Sequence, residues 1–436
     1  MNPEFVRNLW LEAGPFRLAL IAGLLLLVFA ATTVAPTGLA TTSGAALALY
    51  WFFTVLWGTR SAALSVVGEI RERTWDSQKL SSIGPIEMVW GKLFGATIHN
   101  WFGGVICLPF ILLPVAAEQG TAAALVYGVI LVTLGIFAQA AALLSSLMLI
   151  RRNTGNWRLD TFLCQVAGIA AAFAHYSLWS SGAAFAGSSV KTLPWWGITF
   201  NLSNFHLVSL LLFTAWVLVG CWRAMRAELR FANGPFVWLA WLLYIAIYQA
   251  GFESWISAAL KLNAGTISPL QLRVALGCVA LLASAYSMVF LEPKDPVRLR
   301  WLGERLRAGE FGKAFLALDA WMLSYAATLA AGLVLALLSH ALALPVLAML
   351  GFLTRDVAIF VLMRRFAGAK ADFAALAVLA ALYLAVPMLL RGSALIFLFL
   401  PQANNLALSS ALAAWIQGIA VVLLAICKIS ERFTAR

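Results

Sequence analysis

The stretch Ala122–Ile150, AAALVYGVILVTLGIFAQAAALLSSLMLI, decides the fold class. It contains no charged residue and exceeds the roughly 20 residues that cross a bilayer as helix. Leu18–Val34, Val274–Leu291 and Leu406–Cys427 are runs of the same kind, separated by short charged patches. Of 436 residues, 63% are hydrophobic and 11% are charged. No soluble domain buries so much apolar side chain. The expected fold is an all-α polytopic membrane protein, because a helix satisfies its own backbone inside lipid.

Hydropathy also changes the meaning of the charge. A net charge of +12 suggests nucleic acid in a soluble chain. Here the basic residues stand beside apolar spans, where they set orientation and meet anionic lipid. No nucleic-acid partner is expected. Cys107, Cys164, Cys221, Cys278 and Cys427 lie in or beside apolar segments, and no metal-ligand spacing joins them. They read as buried small hydrophobes. His99, His175, His206 and His340 are too scattered for a zinc motif. Glu4, Arg7, Glu12 and Arg17 precede the first apolar run, so the N-terminus reads as a short interfacial helix, not a cleavable signal.

Twelve spans are expected, at 17–35, 43–63, 93–115, 122–149, 161–182, 206–222, 235–256, 272–291, 317–339, 342–363, 372–390 and 405–427. Basic clusters follow alternate spans: Arg71, Arg73, Lys79 and Lys92; Arg151, Arg152 and Arg158; Arg223, Arg226 and Arg230; Lys294 to Lys313; Arg364, Arg365 and Lys370. The other connections carry only Lys191, Lys261, Arg273 and Arg391. Both termini are therefore expected on the cytoplasmic side. Two outer connections, Gly187–Asn204 and Arg391–Asn405, are too short to span and read as re-entrant or interfacial helical hairpins.

The chain reads as duplicated. Gly14-Pro15-Phe16 recurs as Gly234-Pro235-Phe236, Gly91-Lys92-Leu93-Phe94 as Gly312-Lys313-Ala314-Phe315, and Leu147–Arg152 loosely as Phe360–Arg365. Three matches in one order at nearly constant separation outweigh any single one. The halves are 1–225, with a charged elbow at 66–92, and 226–436, with a diverged elbow at 292–316. Six spans in each half make the repeat parallel, with its axis along the membrane normal.

The sharpest local feature is Val66–Lys92, VVGEIRERTWDSQKLSSIGPIEMVWGK. It opens with Glu69, Arg71, Glu72, Arg73, Asp76 and Lys79, and Pro85 forces a break. Two readings stand open: a solvated elbow with internal ion pairs, or a docking helix whose charges meet a complementary groove.

Glu69-x-Arg71-Glu72-Arg73-Thr74, then Leu80-Ser81-Ser82-x-x-Pro85 and Gly91-Lys92, resembles the cytoplasmic elbow of type-2 ABC exporter permeases. That family has six-helix units, a pattern like E-R-E-x-G-T-x-x-x-L-x-x-x-P, and a G-K at the third span. Arg73 stands where the family has glycine, and the stretch to Pro85 is longer. The unit occurs here as a fused duplicate. The resemblance implies that Glu69–Leu80 forms a coupling helix, with Glu69, Arg71, Glu72, Arg73, Thr74, Asp76 and Lys79 against a nucleotide-binding subunit. It implies two copies of that subunit, with ATP and Mg on it, in a bacterial inner membrane. The second half offers Arg298, Arg300, Glu304, Arg305 and Arg307 for docking, with Trp301, Leu302 and Leu306 as headgroup-level anchors. A hydrophobic, lipid-like or peptidic cargo is implied, and a further permease chain is compatible.

The chain has no Gly-x-x-x-x-Gly-Lys-Ser/Thr loop and no cluster of acidic residues or histidines, so no catalytic site is expected in it. Arg355 and Asp356 lie inside the apolar stretch 341–363, and Glu253 lies near a span end, with Lys261 as a plausible partner. Adjacent residues point about 100° apart on a helix, so Arg355 and Asp356 need not pair with each other. They are pathway charges or structural ones. An ion-coupled secondary transporter and a non-transporting scaffold are the rival readings.

Overall fold

The computed structural model describes residues 2–34, 38–150, 157–185, 192–261, 267–366 and 371–434. Arg151, Arg152, Lys191 and Lys370, counted above among the loop charges, lie outside them. Contacts divide the chain into two units, Met1–Leu193 with Thr199–Asn233, and Pro194–Ile198 with Gly234–Arg436.

The first unit begins with α1 (Pro3–Glu12) and α2 (Pro15–Val34), then α3 (Gly38–Tyr50) and α4 (Gly58–Arg71). The π-helical turns Trp51–Trp57 join α3 to α4 without a break. Two short helices follow, α5 (Trp75–Lys79) and α6 (Pro85–Trp90), then a π-helical segment Gly91–Gly95 leading to α7 (Ile98–Gln119). The chain reverses into α8 (Thr121–Ile150) through one residue, Gly120, whose φ of +89° suits glycine. Next come α9 (Trp157–Phe185), strands β1 (Thr192–Trp195) and β2 (Ile198–Asn201), and α10 (Leu202–Glu228). The centre of this unit is α8, which packs on α4, α7, α9 and α10. Its Leu143 and Leu147 are fully buried with Val66, Met88 and Leu93. Between helices in lipid such contacts hold by close packing, since lipid tails are as apolar as leucine.

The second unit contains α11 (Phe236–Ala250), α12 (Glu253–Ala259), α13 (Pro269–Leu291), α14 (Pro296–Arg307), α15 (Phe311–Leu316) and α16 (Ala320–Leu338). It continues with α17 (His340–Phe366), α18 (Ala371–Ala380), a π-helical segment Ala381–Ala385, α19 (Val386–Leu389), a 3-10 turn Ala394–Leu398, and α20 (Ala407–Thr434). Here α17 is central, packing on α16, α18 and α20. Its tightest neighbour is α20, because glycines let the backbones meet. A Cβ on Gly351 would stand 2.8 Å from Ala414 Cβ and 2.9 Å from Trp415 N, and one on Gly418 would stand 3.0 Å from Gly351 O.

Several expectations change. Among the described residues nine helices are long and apolar enough to span alone, or ten if α11 and α12, bent by 46°, count as one. The expected span at 43–63 falls on the continuous rod α3–α4, which the π turns divide into short helices. The one at 161–182 falls on α9, whose apolar run is diluted by Gln165, His175 and Tyr176. The connection before α10 is no helical hairpin: it is a two-stranded β-hairpin. Trp196 and Gly197 both have positive φ, the geometry of a type I′ turn. The tip is held within the second unit, where Trp196 N donates to Gly251 O at 2.9 Å and Trp195 Nε1 to Tyr248 O at 3.1 Å. The other short connection is the 3-10 turn Ala394–Leu398.

Gly351→Val should lower the melting temperature in detergent by an amount equivalent to about 1–3 kcal/mol, the range for overpacking. Gly44→Ala, in α3 with no atom within 4 Å of the new Cβ, should raise it by up to about 1 kcal/mol.

Candidate functional site

The elbow of the first unit is built around a lysine buried without exposure to solvent, Lys92. It stands in the π-helical segment 91–95, a distortion often found at functional sites. Its Nζ donates to Glu69 Oε2, to Gln78 Oε1 at 3.0 Å, to Ser65 O at 3.1 Å and to Glu4 Oε1 at 3.2 Å. The ammonium also lies 5.2 Å from the centroid of the Trp75 ring. A buried ammonium loses several kcal/mol of hydration, which only well-placed partners offset.

Three elements supply those partners. Glu69 projects from the last turn of α4 and also accepts hydrogen bonds from Arg7 Nη2 and Gln78 Nε2. Glu4, on α1, is 2% exposed and pairs with Arg7 at 2.9 Å. Two cations and two carboxylates thus balance. Burial works to lower the Arg7 pKa, but the hydrogen bond to Glu69 and the charges of Glu4 and Glu69 prevail and raise it.

The glycine of Gly91-Lys92 has a steric role. A Cβ at Gly91 would stand 2.6 Å from Glu4 Cβ and 2.8 Å from Phe5 N. One at Gly95 would stand 2.8 Å from Asn8 Cβ. The two glycines form the flat on which α1 sits. Asn8 fastens it, donating to Gly91 O at 3.3 Å, and Asn2 caps α1 while donating to Glu87 O at 2.7 Å.

The expected coupling helix Glu69–Leu80 is not one helix. It breaks after Arg71, because Arg73 takes φ +60° and closes a Schellman cap. Thr74 N donates to Glu69 O at 2.9 Å and Arg73 N to Ile70 O at 3.1 Å. Arg73 therefore occupies the left-handed position that favours glycine, the residue of the resembling family pattern. After the turn, α5 begins with Trp75, which is buried against Met88 and Leu143.

This geometry sorts the predicted string. Glu69 turns inward. Arg71, Glu72, Arg73, Thr74 and Asp76 are exposed. The Arg71 guanidinium lies 4.4 Å from the Trp157 ring centroid. Asp76 pairs with Lys79 at 2.7 Å, and Thr74 Oγ1 donates to Glu69 O at 3.3 Å. Sequence reasoning missed Glu4, Arg7, Asn8, Ser65 and Gln78, and saw Lys92 only as a motif letter. The charged residues Glu4 and Arg7 among the apolar residues of the N-terminal helix were the available signal.

The second Gly-Lys pair has a different environment. A Cβ added at Gly312 would meet no atom within 4 Å, and Lys313 is 66% exposed beside Glu310. Hydrogen bonds from Arg305 and Lys313 hold the Glu310 carboxyl below its ordinary pKa. The buried lysine of this unit is Lys294, 3.1 Å from Asp372 and 4.9 Å from the Phe360 ring centroid. Of the second docking set, Arg298 is engaged by Asp319 at 3.0 Å and by Ala317 O at 2.8 Å. Arg305 bonds Glu310 and lies over Trp301. Arg300 pairs with Glu304 at 2.9 Å, and Arg307 is exposed. Leu302 is buried, whereas Trp301 and Leu306 are exposed.

The span charges are satisfied in unexpected ways. Arg355 and Asp356 do pair, through Nε–Oδ1 at 3.0 Å. Asp356 Oδ2 accepts from Tyr286 at 2.7 Å and from Tyr383, on the π-helical segment, at 2.6 Å. Arg355 Nη1 donates to Gln417 Oε1 at 2.9 Å, and Gln417 Nε2 to Leu398 O at 2.8 Å. Four helical elements and the 3-10 turn are tied in one buried network. Glu253 pairs with Arg273 at 3.4 Å instead of Lys261. No group of three or more potential metal ligands exists among the described residues.

Lys92→Met should cost about 3–5 kcal/mol of stability, because it leaves the carboxylates of Glu4 and Glu69 sharing one cation, Arg7. Thermal unfolding in detergent measures the loss, and adding Glu69→Gln should recover part of it. Arg73→Gly should stabilise the chain by up to about 1 kcal/mol by relieving the left-handed turn, read from the same melts.

Comparison of the chain with known protein families, with curated proteins and with solved structures finds no match in any of the three.

Proposed function

We propose that the chain is the membrane permease subunit of an ATP-driven exporter, with each unit serving as one six-span half. In this reading the rod α3–α4 and helix α9 complete the twelve spans, and the basic connections face the cytoplasm. The observation that carries it is the elbow: exposed Glu72, Arg73 and Asp76 project from a turn anchored through Glu69 to a buried lysine. Mixed charges on a stiff mount suit docking to a soluble partner better than a loose solvated loop does. The partner would be a separate nucleotide-binding subunit, in two copies, carrying ATP and Mg. Closure of the pair would push on α4 and α7 through the ion pairs of Lys92. A hydrophobic, lipid-like or peptidic cargo would move by alternating access, in which the two states differ in partner contacts.

The secondary-transporter reading needs an acidic group free to bind a coupling ion. Asp356, the acidic residue set deepest in a span, has both oxygens engaged by Arg355, Tyr286 and Tyr383. That arrangement favours a structural lock over an ion site.

The chain should co-purify with an ATPase subunit and stimulate its hydrolysis. Replacing Glu72, Arg73 and Asp76 together by alanine should weaken that association about tenfold, the effect of about 1.4 kcal/mol, with little change in melting temperature. Unchanged association and hydrolysis in that triple variant would count against the reading. Transport that persists without ATP and follows an ion gradient would replace it with the secondary-transporter alternative.

A further inference from the structure

The first unit contains a cleft of about 860 Å³ that shares Arg7 and Glu69 with the elbow and extends from it along α2. This size lies within the roughly 300–1,000 Å³ typical of small-molecule sites. It opens because α2 packs chiefly on α3 and α7 and stands away from α4. One wall is a stripe on α2, Leu20, Leu24 and Val28, spaced by one helical turn and exposed by 50%, 56% and 38%. Phe52, Phe53 and Trp57, from the π-helical turns, face it across the cleft. This half is apolar.

The other end is polar, and three buried atoms on it have no hydrogen-bond partner. Asn100 is fully buried; its amide nitrogen donates to Ser61 at 2.9 Å, but Oδ1 has no partner. His99 is 8% exposed, and its Nδ1 is also without a hydrogen bond, 3.4 Å from Glu12. Arg7 Nε is a third buried orphan on the same lining. A buried polar atom left unpaired costs about 1–3 kcal/mol. Three of them around one cleft mark a place where a ligand supplies the missing partners. The rim carries Arg7 and Arg17 against Glu12, Glu69 and Glu72. Neither sign dominates, so a strongly anionic head meets the carboxylates and a purely cationic one meets the guanidinium groups.

We infer that this cleft binds a zwitterionic amphiphile, a lipid with an ammonium and a phosphate on its head and at least one acyl chain. The chain lies between the α2 stripe and Phe52 to Trp57. The ammonium is accepted by Asn100 Oδ1 and the rim carboxylates, and phosphate oxygens take the free N–H of Arg7. Such binding needs no ATPase and holds for a transporter of any class. It also places the lipid head against Glu69, which holds Lys92, and against Arg7, which bonds the same carboxylate.

The test uses the full chain, delipidated in detergent, with a photoactivatable phosphatidylethanolamine and a matched phosphatidylglycerol, the labels mapped by peptide mass spectrometry. The zwitterionic probe should label α2 and residues 51–57 at least about fivefold above other lipid-facing helices, and about fivefold above the anionic probe, the discrimination expected from one or two hydrogen bonds. Leu24→Trp fills the cleft from an exposed helix face, so it should remove this labelling without lowering the melting temperature. Asn100→Leu should reduce it about fivefold. Equal labelling by both probes, labelling spread evenly over the lipid-facing helices, or labelling insensitive to Leu24→Trp would each overturn the inference. Should Asn100→Leu fail to fold, the Leu24→Trp result decides alone.

Discussion

A single ammonium buried between two carboxylates organises the elbow of the first unit. Lys92 cannot be hydrated where it stands, so Glu4 and Glu69 must be there with it. That requirement joins three distant parts of the chain: the N-terminal helix, the end of α4 and the start of α7. Gly91 and Gly95 exist in the form they do because α1 must come close enough to deliver Glu4. Gln78 reaches the same pair from α5, so the turn at Arg73 is drawn back against the helices it leaves. The outward charges are therefore presented by a frame that joins a buried ion-pair network to an apolar core around Trp75 and Met88.

The second unit buries a charged network of its own. Its charges converge on Asp356, which lies on the central helix α17 and is reached by a guanidinium and two phenols. One of those phenols, Tyr383, comes from a π-helical turn, as Lys92 does in the first unit. A π turn rotates the side chains that follow it, which re-aims a polar group toward a buried partner. In each unit one π-helical segment thus lies where a polar group is pointed inward. The close α17–α20 contact through Gly351 and Gly418 keeps Gln417 within reach of Arg355.

Much of the helical layout was legible because apolar length is a strong signal in lipid. The runs at 17–35, 122–149 and 272–291 fall on α2, α8 and α13. Less legible were features set by backbone sign and by long-range pairing. A tryptophan at positive φ is rare enough that the connection holding Trp196 and Gly197 reads as a re-entrant or interfacial helical hairpin instead of a β-turn. Arg73 hides a helix end for the same reason: the expected glycine is missing, but the conformation is kept. Lys92 stood out as a motif, yet its partner Glu4 lies 88 residues earlier, and no local pattern announces that contact. The second Gly-Lys pair shows the converse. Its letters match, but Lys313 faces outward and Lys294 takes the buried position.

The seating of α1 has a consequence for the order in which the chain is made. Synthesis runs from the N-terminus at about 5–20 residues per second, so α1 emerges well before Gly91, Lys92 and Gly95, the residues that form its berth. During that interval Glu4 has no lysine to meet, and α1 rests on Arg7 and its own cap. Docking of α1 therefore waits for residues 91–95, which open the segment leading into α7.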